Sequence, residues 1–192
     1  MPAHTITLVR HGQTASSARK AYSGRSDIPL TDAGREQAVQ AAQGLTTAGV
    51  DAVISSPLIR ARDTAQAIAD ATGAPLTVDE RLTEVDYGAF EGLDRAGARE
   101  QIGAPFDAWR SDPFGAPVPG MEPLDDALDR ARAATADAIA AHAHPVIVGH
   151  QGILRIVLVA LGEIEPGDYF GTRLHEAEPI IVRSPAIVEP PR

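Results

Sequence analysis

Short apolar runs alternate with amphipathic stretches along most of the chain. Residues 5–9 are β-branched and apolar, which predicts a buried strand. Residues 15–30, rich in Ser, Gly, Asp and Pro, read as loop. Thr31 and Asp32 then offer a hydroxyl cap and an acidic first turn, and Ala38, Ala41, Ala42 and Leu45 share one helical face that Gly49 ends. A second short strand is predicted over 51–55. Pro57 opens a second helix over 58–72, stopped by Gly73, and a third strand follows over 76–78. An Ala-rich helix over 123–143, an apolar and central strand over 145–149, and a helix over 153–161 continue the alternation. The tail holds strand candidates at 180–183 and 186–188 and ends in Pro190 and Pro191, expected to fray. Strand-helix alternation predicts an α/β fold, a three-layer α/β/α sandwich around a mostly parallel sheet. Residues 82–121 break the pattern with repeated Gly and Pro and two short helical pieces, 94–101 and 106–110. They are expected to form an irregular cap over the sheet edge.

Composition narrows the picture. A length of 192 residues predicts one domain spanning 1–192, with the cap as an insertion. Aromatic residues make up only 4%, so the core must be built from Ala, Val, Leu and Ile. The formal net charge of -9 argues against nucleic acid and anionic membrane as partners. Any anion site is therefore a small cluster of cations working against the global sign. With no cysteine there is no disulfide, thiolate nucleophile or Cys-ligated zinc. Met1-Pro2-Ala3-His4 shows no signal-peptide pattern, and 153–161, with Arg155 inside it, is too short to cross a bilayer. A cytoplasmic protein is expected.

Candidate chemistry sits where strands stop. Leu8-Val9-Arg10-His11-Gly12 and Ile147-Val148-Gly149-His150-Gln151-Gly152 each deliver a histidine and a glycine to a strand's carboxyl end. In open α/β sheets ligands bind at that edge. Ser55-Ser56-Pro57-Leu58-Ile59-Arg60 also follows a strand, and it places Arg60 in the first turn of a helix. A guanidinium there can hold phosphate oxygens in a bidentate pair. Arg62, by contrast, reads as a solvated face residue. Leu82-Thr83-Glu84-Val85-Asp86-Tyr87-Gly88-Ala89-Phe90-Glu91-Gly92 offers three acids, Glu84, Asp86 and Glu91, which spacing alone does not separate. His142 and His144 read as solvated or as partners of a helix C-terminus.

These segments, in this order, resemble the histidine phosphatase superfamily (phosphoglycerate mutase-like). Within it they look most like the phosphatase branch that includes α-ribazole phosphatase and fructose-2,6-bisphosphatase. The resemblance runs from Thr5 to about Leu161 and implies Glu84 as the acid of the Leu-x-Glu segment. It also sets Tyr22-Ser23-Gly24 in a substrate-bordering loop, with Ser23 and Gly24 as substrate contacts, and adds Ser17 and Gln151 to the phosphate site. The sequence departs from the family where Ser17 replaces a common Asn and where Met121 and Pro123 interrupt a Pro-Gly-Gly-Glu-Ser segment.

The implied chemistry is coherent. Arg10, Arg60 and His150 would neutralise a phosphate, His11 would attack phosphorus, and Glu84 would protonate the leaving oxygen. No cofactor and no metal is expected, because the arginines supply the positive charge. The expected partner is a small phosphorylated metabolite, and a homodimer is admitted without being required. Phosphoglycerate mutase-type transfer and a non-catalytic phosphoester-binding protein on the same fold are the alternatives.

Overall fold

The computed structural model describes residues 4–116, 118–183 and 185–187. Five strands form one sheet: β1 (Thr5–Arg10), β2 (Ala52–Ser55), β3 (Leu76–Val78), β4 (Pro145–Gly149) and β5 (Pro179–Arg183). Their order is β3-β2-β4-β1-β5, parallel throughout except for β5, which runs antiparallel to β1 at one edge. β4 is the middle strand and is buried along its whole length, as its continuous apolar run requires when helices cover both faces.

Alternate strand residues feed two cores. Ile6, Leu8 and Ile147 face a larger core shared with α6 (Leu124–Ala141) and α7 (Gln151–Ala160). Val9, Val53, Val146 and Val148 face a smaller one, closed by α2 (Asp32–Leu45) and α3 (Ile59–Thr72). Two helices lie on each side, so the architecture is the three-layer α/β/α sandwich expected. The small core relies on close approach. A Cβ on Gly34 of α2 would sit 2.1 Å from Gln13 O, and one on Gly12 would sit 2.3 Å from Gly34 O. Only glycine at both positions lets α2 rest on the turn leaving β1.

The stretch 82–121 carries α4 (Arg95–Ile102) and α5 (Ala104–Ser111), close to the two short helices expected, plus a 3-10 turn at Gly88–Phe90; another 3-10 turn, Glu80–Leu82, leads into it. Here the scarce aromatics collect. Phe90, Phe106 and Trp109 are fully buried, packed against Tyr22, Tyr87 and Phe170.

Four local expectations change. The stretch 15–30 is not all loop, because α1 (Ala15–Ala18) forms one turn. Thr14 and Ser17 cap each other's backbone N–H there, a reciprocal box that a Ser at the third position makes as well as a Glu. α7 begins two residues earlier than expected, since its first N–H groups find an acceptor elsewhere in the chain. His144 is no solvated end-of-helix residue. Its Nδ1–H donates to Ala48 O at 2.7 Å and Nε2 meets Thr7 Oγ1 at 2.9 Å, pinning the far edge of the sheet. Of the strand expected over 186–188, Ala186 and Ile187 are not in a strand, and Val188 lies outside the described residues, as do Pro190 and Pro191.

Candidate active site

Parallel register alone brings three strand ends together. Arg10 pairs with Gly149 across β1 and β4, so the next residues, His11 and His150, emerge side by side with ring centroids 5.1 Å apart. Ser55 pairs with Val148, which sets Ser56 beside them. His11 and His150 are both buried.

The hydrogen bonds assign the two tautomers. His11 Nδ1 lies 2.7 Å from Gly12 O, and a carbonyl only accepts, so Nδ1 carries the proton and Nε2 keeps its lone pair. Burial, then the charges of Arg60 and Arg10, hold this imidazole well below its ordinary pKa, so it is neutral. His150 has the other tautomer. Arg60 donates Nε–H to His150 Nδ1 at 3.1 Å, leaving the proton on Nε2 to be donated to Ser56 Oγ at 2.7 Å. Burial and Arg60 likewise depress its pKa.

Arg60 stands in the first turn of α3, 1% exposed. Its NH1 donates to Ser26 O at 2.7 Å, and its NH2 to Gly24 O at 2.8 Å and Ser23 O at 3.2 Å. One guanidinium thus organises the 23–26 loop around the histidines. The loop returns the support: Asp27 Oδ1 accepts Ile59 N–H at 2.6 Å and caps α3, whose own N-cap, Leu58, has no side chain to do so. Arg10 is tied to Leu174 O at 3.0 Å and to Glu176 at 3.6 Å, while its buried Nε has no partner among the described residues.

The three acids separate in space. Glu84 is 3% exposed, and its carboxylate accepts the N–H groups of Gly152 at 2.9 Å and Ile153 at 2.8 Å, together with that of Val85 at 2.9 Å. It therefore caps α7 from outside, which explains the helix's early start. Burial raises its pKa, opposed by those three backbone bonds, so the carboxyl holds a proton above the ordinary carboxylate range. Glu91 instead accepts Gly24 N–H at 2.8 Å and Ser26 N–H at 3.2 Å. Asp86 turns back to Gly88 N–H at 2.9 Å. Glu91 and Asp86 shape loops, whereas Glu84 shares its helix terminus with His150 and Gln151.

The remaining sequence candidates are distributed unevenly. Gln151 opens α7 at the same edge, half-buried. Ser23 Oγ is buried and unpartnered among the described residues. The Ser17 hydroxyl is engaged within its own turn, accepting Thr14 N–H at 2.9 Å and donating to Thr14 O at 3.1 Å. Arg62 is exposed. Two supporting residues escaped the sequence reading. Ser56 holds His150, and Thr64 Oγ1 accepts Gly12 N–H at 3.1 Å while donating to Arg60 O at 2.8 Å. Ser56 stands in the segment that carries Arg60, and Thr64 lies one helical turn beyond Arg60, but only the fold shows what they touch.

An imidazole with a free Nε2, one buried and one partly buried guanidinium, and a carboxyl of raised pKa at a helix N-terminus share this end of the sheet. Residues 6–184 match the Histidine phosphatase superfamily (branch 1), and the chain belongs to that superfamily. It is 39% identical over 154 residues to the Bifunctional protein Rv2228c of Mycobacterium tuberculosis, a match covering 80% of this chain and 40% of that protein. This chain thus spans well under half the length of that relative. It is 34% identical over 151 residues to a Salmonella paratyphi B protein named probable phosphoglycerate mutase GpmB, covering 76% of this chain and 68% of that one. Among solved structures, mycobacterial glucosyl-3-phosphoglycerate phosphatase Rv2419c superposes with a TM-score of 0.84 at 29% identity, covering 94% of this chain and 90% of that chain. Among the described residues, no helix is long and apolar enough to cross a membrane.

Proposed function

We propose that the protein is a metal-independent phosphomonoesterase of the cytoplasm, hydrolysing a small soluble phosphate ester through a phosphohistidine on His11. The observation that carries this reading is the free lone pair on His11 Nε2, favoured by the Nδ1–H bond to Gly12 O and by burial and the charges of Arg60 and Arg10. In the first half-reaction Nε2 bonds to phosphorus as the ester P–O bond breaks, and Glu84 gives its proton to the leaving oxygen. In the second, water attacks phosphorus and returns a proton to Glu84, and the P–N bond breaks to restore the neutral imidazole. Arg10 and Arg60 offset the dianion's charge throughout. The positive charge of Arg60 and Arg10 that lowers the His11 pKa would also repel a metal cation.

The test is phosphate release from p-nitrophenyl phosphate and a metabolite panel that includes glucosyl-3-phosphoglycerate, with and without EDTA. Rapid quenching should trap an acid-labile phosphoenzyme that His11→Asn lacks. Loss of turnover in EDTA, or a phosphoenzyme that survives His11→Asn, contradicts the reading. The similarity to GpmB favours a second reading, phosphoglycerate mutase-type transfer. Rapid interconversion of 2- and 3-phosphoglycerate with negligible phosphate release would establish that one instead. Ligand binding without turnover in the parent protein would establish a non-catalytic role.

A further inference from the structure

Arg130 lies on α6, and its side chain is only 18% exposed. Its charge is the least of the causes that lower the His150 pKa, and its hydrogen bonds go elsewhere. Its Nε and NH2 form a fork on Glu122, at 2.7 and 2.9 Å. Its NH1 donates to Arg81 O at 2.7 Å and Thr83 O at 2.6 Å, and NH2 points to Glu84 O at 3.5 Å. Glu122 grips the same segment from the other end. Its Oε2 accepts Asp86 N–H at 3.1 Å, and its own N–H donates to Asp86 O at 2.9 Å. One ion pair therefore holds backbone groups on both sides of Glu84, in a stretch whose regular structure ends with the 3-10 turn Glu80–Leu82.

We propose that the Glu122–Arg130 pair is a positioning device that sets the Glu84 carboxyl for proton transfer. The inference rests on the reading of Glu84 as the acid. The Glu84 side chain can meet Gly152 and Ile153 N–H only if its Cα is set back from the α7 terminus by a defined distance. A misplacement of about 1 Å at a reacting group costs on the order of 10²-fold in rate. Two carbonyls converging on one NH1 within hydrogen-bond distance are a requirement for a planar fork of donors, which lysine's single ammonium does not reproduce while also pairing with Glu122. Arg130 is thus a positioning residue that acts through the backbone of 81–86.

The test separates positioning from bulk stability by leaving group. An acid matters for phenyl phosphate, whose leaving oxygen is basic, and much less for p-nitrophenyl phosphate. In Arg130→Gln, kcat/KM for phenyl phosphate should fall about 10-fold or more and that for p-nitrophenyl phosphate less than about 3-fold, a smaller version of the pattern in Glu84→Gln. Arg130→Lys, which keeps the charge on Glu122, should show the same selectivity with a smaller loss. It carries the test if the Gln variant does not fold. Equal losses on both substrates, or no loss, in the folded Arg130 variant while Glu84→Gln is selective would overturn the positioning role. A Glu84→Gln variant with no leaving-group selectivity would instead overturn the acid assignment, and this proposal with it.

Discussion

Arg60 donates its Nε–H to Nδ1 of His150 across 3.1 Å, so one guanidinium sets the tautomer of an imidazole that follows it by 90 positions in the chain. A cation normally paired with a carboxylate is here paired with a neutral ring. The pairing survives only while His150 stays unprotonated, and burial together with Arg60 itself ensures that.

A pH dependence of stability follows from this. His11 and His150 both have pKa values well below the ordinary 6.5. Between 6.5 and those lowered values the unfolded chain holds more protons than the folded one, so stability falls as pH drops below 6.5 and levels off under the folded pKa. Each histidine contributes a slope of about 1.4 kcal/mol per pH unit within its window. Glu84, with a raised pKa, has the opposite sign: its contribution falls as pH rises from 4.5. Urea unfolding of parent and His11→Asn at pH 7.5 and 5.5 isolates one histidine. The parent should lose more stability on acidification than the variant.

Gly152 tests the seat of Glu84. A Cβ there would lie 2.6 Å from both Glu84 Oε1 and the Tyr87 hydroxyl. Both are ends of side chains, so the clash is relieved by moving them, and it is the carboxyl that moves. Alanine's helix propensity returns up to about 1 kcal/mol, against about 1–3 kcal/mol for overpacking and lost charge-assisted bonds. Gly152→Ala should therefore stay folded, with Tm lowered slightly, while kcat/KM for phenyl phosphate drops about 10-fold or more.

Two glycines in one helix should respond with opposite signs. Gly34→Ala drives a methyl into Gln13 O at 2.1 Å, a backbone atom that cannot swing away, and should cost about 3 kcal/mol. Gly44, exposed near the end of α2, has nothing within 4 Å of its added Cβ, and Gly44→Ala should stabilise by about 0.5 kcal/mol. Denaturant midpoints for the pair distinguish packing from propensity.

Thr64 is a fully buried acceptor for Gly12 N–H. Thr64→Val keeps the shape and strands that donor, so unfolding should cost about 1–3 kcal/mol less. Thr64→Ser, which keeps the hydroxyl, should recover most of the loss in the same measurement.

The elements were legible because their signals are local: an apolar run for β4, a Thr31 cap and Ala face for α2, Gly73 at the end of α3. So was the family, since its segments keep their order along the chain. Glu84 could not be told from Asp86 and Glu91 by spacing. The three differ in burial and in which N–H groups lie opposite them, and those belong to α7 for Glu84, to the 24–26 loop for Glu91 and to Gly88 for Asp86. The short turn over Ala15–Ala18 was hidden because its cap box uses Ser17.

What the chain by itself determined is the set of strand ends, each closing on a polar residue, because secondary structure and caps depend on neighbours a few positions apart. The tertiary structure alone decided the strand order that sets β4 between β1 and β2, and with it the 5.1 Å meeting of His11 and His150. It also decided which nitrogen of each ring keeps a proton, and which arginine on α6 holds the backbone around Glu84. Those are contacts between residues tens of positions apart, formed only when the two cores pack the helices against the sheet.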